Sequence, residues 1–155
     1  MQIQSLEFKK LNPELQMPLA VFFKDIEESG IGRYFHPHLF SEAEAFRLCQ
    51  YVNHDLYYVA LIGERILGYG MLRGWDEGYA IPSLGIALHP AVHGQGLGRA
   101  FMYFLHAAAR QRGALKVKIK VYPDNLRGVS LYESLGYTFH ADKEDGQLVG
   151  VLNLV

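Results

Sequence analysis

The segment of residues 84–112, LGIALHPAVHGQGLGRAFMYFLHAAARQR, decides the fold of this chain. It reads as an apolar strand, Pro90, a loop from His93 to Gly98 with glycine at alternate positions, and a long amphipathic helix. With no side chains in the way, successive backbone N–H groups of such a loop can point at one spot, and the helix adds unpaired amides and the positive end of its dipole. The segment therefore predicts a backbone nest that binds a phosphate ester. A pyrophosphate is the simplest ligand that would use all of these donors.

Hydrophobic spacing outside this segment predicts a mixed α/β fold. Apolar residues recur at helical or alternating spacing, and Asn12 and Ser41 are good N-caps. In chain order the predicted elements are strand Gln2–Phe8, a helix from Pro13 to a stop at Gly30, helix Glu42–Asn53, strands Tyr57–Ile62, Ile66–Leu72 and Ala80–Leu88, the helix after the glycines, strand Leu115–Val121, helix Asn125–Leu135, and strands Tyr137–His140 and Leu148–Leu154. Only the unit from Leu84 to Val121 strongly indicates a parallel crossover. We therefore expect a mixed, mostly antiparallel sheet with helices on both faces.

Length and composition predict one ordinary domain. The chain has 155 residues, half of them apolar, and we expect a single domain over residues 1–155. The formal net charge of −1 supplies no long-range field, so neither nucleic acid nor a membrane is expected as a partner. The single Cys49 cannot form an internal disulfide and fits a buried helical position. No apolar run approaches the roughly 20 residues that span a bilayer, and no signal-type segment follows Met1, so we expect a cytoplasmic protein.

Two familiar glycine-rich phosphate sites do not match the loop. A P-loop needs Lys and then Ser or Thr after its last glycine, whereas Arg99 and Ala100 follow Gly98. A Rossmann site needs an acidic residue at the end of the next strand, where this chain has Val121 and Tyr122. Walker-type ATP binding is therefore excluded, and dinucleotide binding is disfavoured.

What remains resembles the GNAT superfamily of acyl-CoA-dependent N-acyltransferases, across essentially the whole chain. The family's acyl-CoA loop falls on His93–Gly98. Its pattern is Gln or Arg, then any two residues, Gly, any residue, and Gly or Ala. The end of the preceding strand falls on Leu88–Pro90. There the family has a hydrophobic residue, any residue, and then Pro. A second motif, an Asn seven residues before a Tyr in a helix that ends Leu-Gly-aromatic, falls on Asn125 and Tyr132. His93 departs from the pattern, because the family usually has Gln or Arg there, and its contact to phosphate would be weaker or pH-dependent.

The resemblance implies a fold, a co-substrate and a set of site residues. The fold would be a three-layer domain with a splayed central strand pair, and the co-substrate acetyl-CoA, with no metal. Tyr132 would protonate the leaving thiolate, since tyrosine stays protonated at neutral pH. Asn125 would hydrogen-bond the pantetheine arm or support the loop. The implied coenzyme-binding residues are Leu88, His93, Gly94, Gln95, Gly96, Leu97, Gly98, Arg99, Asn125 and Tyr132.

Gly85 and Pro123 predict an opening between two strands, in which the acyl group would be held. Gly85 inside its strand indicates a bulge, and Pro123 ends the next strand, so the two strands are expected to splay apart and leave a slot. Backbone N–H groups near Leu88 would then meet the thioester carbonyl and the oxyanion, and pantetheine amides would pair with the strand edge. The alternative is a glycine kink with ordinary strand pairing.

The general base is the least determined part of the site. In the ribosomal-protein N-terminal acetyltransferases, which share this scaffold, a glutamate five residues before the Asn is the general base. This chain has Lys120 at that position. That departure argues against this subfamily. The remaining candidates are Glu77 and His36, with Asp76 and His38 beside them, or a chain of water molecules. A His-x-His metal site would need a third ligand, which the sequence does not indicate.

The acceptor is expected to be the primary amine of a small molecule. The aromatic residues Tyr34, Phe35, Trp75 and Tyr79 favour a pocket that stacks against a ring, as in a cyclic amine or an amino sugar, although ordinary packing explains them equally well. A protein or peptide N-acetyltransferase and a non-catalytic acyl-CoA-binding sensor are the alternatives. The terminal strands could also form the edge of a homodimer.

Overall fold

Seven strands in the described part of the chain form one sheet. The structure, a computed structural model, describes residues 4–155, with the backbone alone at 141 and 142. Gln2 and Ile3 of the first predicted strand lie outside the described residues. The strands are β1 Leu6–Lys10, β2 Leu56–Ile62, β3 Arg65–Arg73, β4 Ser83–Leu88, β5 Lys116–Val121, β6 Thr138–Glu144 and β7 Gln147–Asn153, and the helices are α1 Gln16–Ser29, α2 Glu42–Cys49, α3 Leu97–Gln111 and α4 Leu126–Ser134. The strand order is β1-β2-β3-β4-β5-β7-β6.

Helices cover both faces of the sheet, as predicted. Buried residues of α3 and α4 share one core with β4 and β5, and buried residues of α1 and α2 form a second core against β2 and β3. Within α3, Leu97, Phe101 and Leu105 of the apolar face are buried. The alternation on β5 turns Val117, Ile119 and Val121 into the first core and leaves three lysines on the opposite face.

Local capping signals set the helix boundaries. The Asn12 side chain accepts a hydrogen bond from Glu14 N at 2.9 Å, at the start of the 3₁₀ turn that leads into α1. Ser41 accepts from Glu44 N at 3.1 Å and begins α2. That helix ends at Cys49, earlier than the predicted Asn53, because the following chain is held by the neighbouring turn, where the Tyr51 hydroxyl donates to Asp76.

The central strands β4 and β5 diverge after a short parallel pairing. They pair only at Ser83 with Lys118 and at Leu84 with Ile119, and then separate. The predicted slot between them is confirmed, and all other strand pairs are antiparallel in the described residues. Among the described strands, the only parallel crossover is thus the unit that contains the glycine loop.

The predicted bulge at Gly85 is wrong. The β3–β4 ladder runs without a register shift, with Met71 opposite Gly85, and the irregularity lies in the β2–β3 ladder instead. A Cβ atom at Gly85 would stand 2.9 Å from Phe35 Cε2 and 3.0 Å from Met71 Cγ. Glycine is therefore needed at this position because the ring of Phe35, from a distant loop, packs against the strand.

Candidate active site

A cavity of about 800 Å³ occupies the slot between β4 and β5. Four elements meet around it: the ends of the two diverging strands, the glycine loop with the start of α3, the first turns of α4, and the loop that follows α1. The lining residues are Ile31, Tyr34, Phe35, Leu84, Gly85, Ile86, Ala87, Leu88, Val92, His93, Gly94, Gly96, Gly98, Arg99, Ile119, Lys120, Val121, Asp124, Asn125, Leu126, Arg127, Gly128, Leu131 and Tyr132. The structure thus brings both sequence motifs, which are far apart in the chain, to one cavity.

The glycine loop presents unpaired backbone amides to this cavity. Gly94 and Gly96 have φ of 76° and 84°, a left-handed conformation that favours glycine. The backbone N–H groups of Gly94 through Arg99 donate no hydrogen bond to any described residue, and the first amide with an intrahelical partner is that of Ala100. These amides at the positive end of α3 are free to bind an anion.

The remaining loop residues hold the loop in place. His93 Nε2 donates to Leu88 O at 3.2 Å, so its side chain ties the loop to the end of β4. Gly98 packs its backbone against Leu88, where a Cβ atom would lie 3.1 Å from Leu88 Cδ1. Gln95 donates from its side-chain amide to Ala91 O at 3.2 Å and stays outside the cavity lining. Leu97 is buried in the core beneath the loop.

Charged side chains around the cavity are mostly cationic. Among the described lining residues, Arg99, Lys120 and Arg127 stand against the single carboxylate of Asp124. Arg99 donates to Ser134 Oγ at 2.9 Å, which ties α3 to α4 and holds the guanidinium near the loop. This charge distribution fits a ligand that carries several phosphate groups.

The open edge of β4 faces the slot. Pro82 O accepts from Lys118 N at 3.0 Å, so the backbone groups of alternate residues along β4 point toward β5. Leu84 still has a partner strand, whereas Ile86 and Leu88 follow the point of divergence. Their backbone N–H groups therefore face the cavity instead of another strand.

Tyr132 lies buried in the cavity wall, and burial raises its pKa to about 12. Its carbonyl accepts from Tyr137 N at 3.1 Å at the end of α4, and the ring of Tyr137 packs edge-on at 6.0 Å between centroids.

A 2.8 Å hydrogen bond joins Tyr137 Oη to His106 Nε2 on α3. Burial lowers the pKa of His106 to about 4, so its imidazole is neutral at physiological pH. No sequence pattern links the two residues of this pair, since only the fold brings α3 and the end of α4 together.

Asn125 is the N-cap of α4. Its Oδ1 accepts from Gly128 N at 3.1 Å, and the side chain lines the cavity. Asp124 and Arg127 flank it in the lining and were also missed, although their positions beside the second motif were a usable signal.

The four candidate bases are not brought together. Asp76 and Glu77 lie in the turn before β4, at the end where β4 and β5 are still paired, and neither lines the cavity. The Tyr51 hydroxyl donates to Asp76 and holds the pKa of that carboxyl below its usual range. Glu77 is exposed.

The two histidines take different positions in the loop after α1. His36 is exposed, and a 2.8 Å hydrogen bond joins its Nε2 to the hydroxyl of Tyr122, the residue after β5. It therefore bridges the loop to the far side of the slot without lining the cavity. His38 is bonded to the buried Tyr69 hydroxyl at 2.9 Å, and burial lowers the pKa of its imidazole.

Of the four aromatic residues named for the acceptor pocket, the structure brings two to the cavity. Tyr34 and Phe35 line it. Trp75 packs beneath the Arg112 guanidinium at 5.0 Å, and Tyr79 is exposed in the turn before β4. Among the side chains that the structure describes, no group of three or more His, Cys, Asp or Glu is arranged to hold a metal ion.

Comparison with known proteins identifies the family. Residues 23–137 match the model of the acetyltransferase (GNAT) family. An acetyltransferase of the GNAT family from Streptococcus pneumoniae has a similar structure, with a TM-score of 0.81 and 16% identity over 96% of this chain and 99% of that one. The PaiA N-acetyltransferase from Thermoplasma acidophilum, solved in complex with coenzyme A, gives a TM-score of 0.77 and 17% identity over 96% and 99%. The ribosomal-protein alanine N-acetyltransferase from Escherichia coli gives 0.71 and 19% over 97% and 94%.

The splayed mixed sheet and the family match together define the protein class as an N-acetyltransferase. The chain belongs to the acetyltransferase (GNAT) family, which uses acetyl-CoA, and the predicted resemblance is confirmed. In the part of the chain that the structure describes, no helix has the length and apolar character needed to cross a membrane.

Proposed function

We propose that this protein transfers the acetyl group of acetyl-CoA to the primary amine of a small molecule by direct attack. The observation that carries the proposal is the run of unpaired amides from Gly94 to Arg99, which opens into a slot with Tyr132 in its wall. We refer to the part of the cavity formed by the glycine loop, α3 and α4 as the donor side. The part formed by the loop after α1 and by Lys120 is the acceptor side.

The donor side suits each portion of coenzyme A. The amides of the glycine loop would bind the pyrophosphate, with Arg99 and Arg127 adding positive charge nearby. The pantetheine arm would follow the free edge of β4, where its amides can pair with Ile86 and Leu88 as an added strand would. Asn125 supports this arrangement through its cap on α4.

The reaction requires a new C–N bond and the loss of the C–S bond. The amine nitrogen attacks the thioester carbonyl carbon, and the backbone N–H group of Leu88 stabilises the oxyanion of the tetrahedral intermediate. When the intermediate collapses, the electron pair of the C–S bond goes to sulfur and Tyr132 supplies its proton. With a pKa of about 12 the phenol is protonated at all physiological pH values, so it is always available as a donor. The surplus proton of the amine leaves to water or to His36 at the rim, and a proton from water restores the phenol of Tyr132.

The loop after α1 supports a small acceptor over a protein. Phe35 packs directly against Gly85 of β4, and His36 is bonded to Tyr122 across the slot. These contacts hold the loop against β4 and across to Tyr122, whereas an extended peptide would need an open groove.

Release of free thiol from acetyl-CoA, measured with a panel of amines, amino sugars and peptides, tests the proposal. We expect turnover with at least one small amine and none with peptides. Turnover with peptides alone would identify a peptide acetyltransferase. Acetyl-CoA binding without turnover on any acceptor would identify a sensor, and failure to bind acetyl-CoA would overturn the donor assignment.

A further inference from the structure

The acceptor side of the cavity includes one cationic side chain, that of Lys120. On β5 the side chains of Val117, Ile119 and Val121 enter the core under α3 and α4, so Lys120 points to the opposite face of the sheet. That face also holds Phe35, which packs against Gly85. Because coenzyme A would enter from the α3 side, the acceptor amine reaches the thioester from the face of Lys120.

The ion pairs of Lys120 leave its charge accessible to a ligand. Its Nζ lies 3.2 Å from Glu144 Oε2 and 3.6 Å from Asp145 Oδ2, on the β6–β7 hairpin. Both carboxylates are more than half exposed, and Glu144 is shared with Lys118 at 3.4 Å. Exposed pairs of this kind contribute little, so a carboxylate brought in by a substrate can replace them.

The lining offers little help in deprotonating a strongly basic amine. Among the described lining residues there is no glutamate, and the one imidazole, His93, is bonded to Leu88 O on the donor side. Asp124, the only carboxylate among the described lining residues, is exposed at the start of α4. A nearby ammonium such as that of Lys120 also disfavours the protonated form of an acceptor amine. The site therefore suits an amine that loses its proton readily, as an α-amine does compared with an alkylamine such as that of lysine.

We propose that the acceptor is a small amine with an anionic group next to its nitrogen, of the α-amino acid type, whose carboxylate binds Lys120 and whose apolar side chain contacts Tyr34 and Phe35. This inference rests on the proposed acetyltransferase function and extends it to a substrate class. A polycationic amine fits this arrangement less well, since it would bring further ammonium groups to Lys120.

Three acceptors that share one ring separate the role of charge from that of amine basicity. They are phenylalanine, phenylalaninamide, which lacks the negative charge and has a less basic α-amine than phenylalanine, and phenethylamine, which lacks the charge and has the most basic amine of the three. Amine basicity alone would therefore favour phenylalaninamide. We expect kcat/KM for phenylalanine to exceed that for phenylalaninamide at least 10-fold, with phenethylamine lower still. Equal or better turnover of phenylalaninamide or phenethylamine would overturn the inference and leave the proposed function standing. Binding of acetyl-CoA with no turnover on these or any other amines would contradict the function itself.

Lys120→Gln and the matched control Lys118→Gln assign the effect to one side chain. Both lysines pair with Glu144 and both lie on the same face of β5, but only Lys120 lines the cavity. We expect Lys120→Gln to remove the preference for phenylalanine over phenylalaninamide through KM of the acceptor, with KM for acetyl-CoA unchanged. Lys118→Gln should retain the preference. Equal losses in the two variants, or a retained preference in Lys120→Gln, would refute the role of Lys120.

Discussion

The donor and acceptor sides of the slot differ in the groups that form them. The donor side is built from main-chain amides of the glycine loop and from the free edge of β4, with side chains in supporting contacts. The acceptor side is built from side chains: Tyr34, Phe35 and Lys120 line it, and His36 and Tyr122 are bonded at its rim. Main-chain groups can bind the same coenzyme whatever side chains surround them, whereas a wall of side chains can change its specificity residue by residue.

Tyr132→Phe should give the largest effect, because it removes the proton donor without altering the loop that binds the coenzyme. We expect kcat to fall about 100- to 1000-fold, with the Kd of acetyl-CoA unchanged within about twofold. Steady-state kinetics and calorimetric titration measure the two quantities. Tyr103→Phe, at an exposed position of α3, is the matched control and should behave as wild type. An unchanged kcat in Tyr132→Phe would remove this residue from its assigned role.

The donor side also depends on a buried neutral histidine, which makes its stability sensitive to acid. Burial lowers the pKa of His106 to about 4 in the folded protein, while an unfolded chain has a histidine pKa near 6.5. The unfolded state therefore binds the extra proton first, and stability is lost as pH falls from about 6.5 to 4, by about 2 to 3 kcal/mol. Urea denaturation at a series of pH values measures this loss. His106→Gln, which removes the titrating group, should flatten this part of the profile, and an unaltered slope would contradict the assignment.

Gly96→Ala tests whether the loop backbone binds the coenzyme. Gly96 and Gly113 both have positive φ, 84° and 92°, and neither has an atom within 4 Å of an added Cβ, but only Gly96 lies in the loop. Alanine at either position should cost about 1 kcal/mol of stability. We expect about a 10-fold weaker Kd for acetyl-CoA in Gly96→Ala alone, measured by calorimetry. Equal affinities in the two variants would show that the loop conformation is not needed for binding.

Phe35→Ala should have the smallest effect, and it should be confined to the acceptor side. Removing the ring opens the wall next to Gly85, so KM for a small acceptor should rise about 3- to 5-fold. The Kd of acetyl-CoA should stay the same. Weaker binding of acetyl-CoA would contradict the separation of the donor side from the acceptor side.

The difference between the two sides also explains what the sequence could predict. The glycine loop, the Asn12 and Ser41 caps and the slot follow from neighbouring residues, because turn, cap and strand-end preferences are local. The acceptor side depends on contacts between distant segments. Local sequence indicated a bulge at Gly85, whereas glycine is needed there because Phe35 packs against the strand. Likewise, no local pattern separates Tyr34 and Phe35, which line the cavity, from Trp75 and Tyr79, which do not.

Amide chemical shifts provide the most direct test of the central claim, that the backbone from Gly94 to Arg99 binds the pyrophosphate of the coenzyme. In ¹H–¹⁵N spectra, coenzyme A should shift the resonances of Gly94, Gly96 and Gly98 strongly, while pantetheine, which has no pyrophosphate, should leave them nearly unchanged and bind at least 100-fold more weakly. Gly113 serves as the internal reference. Equal affinity for the two ligands, or coenzyme A binding without shifts in the loop, would contradict the account.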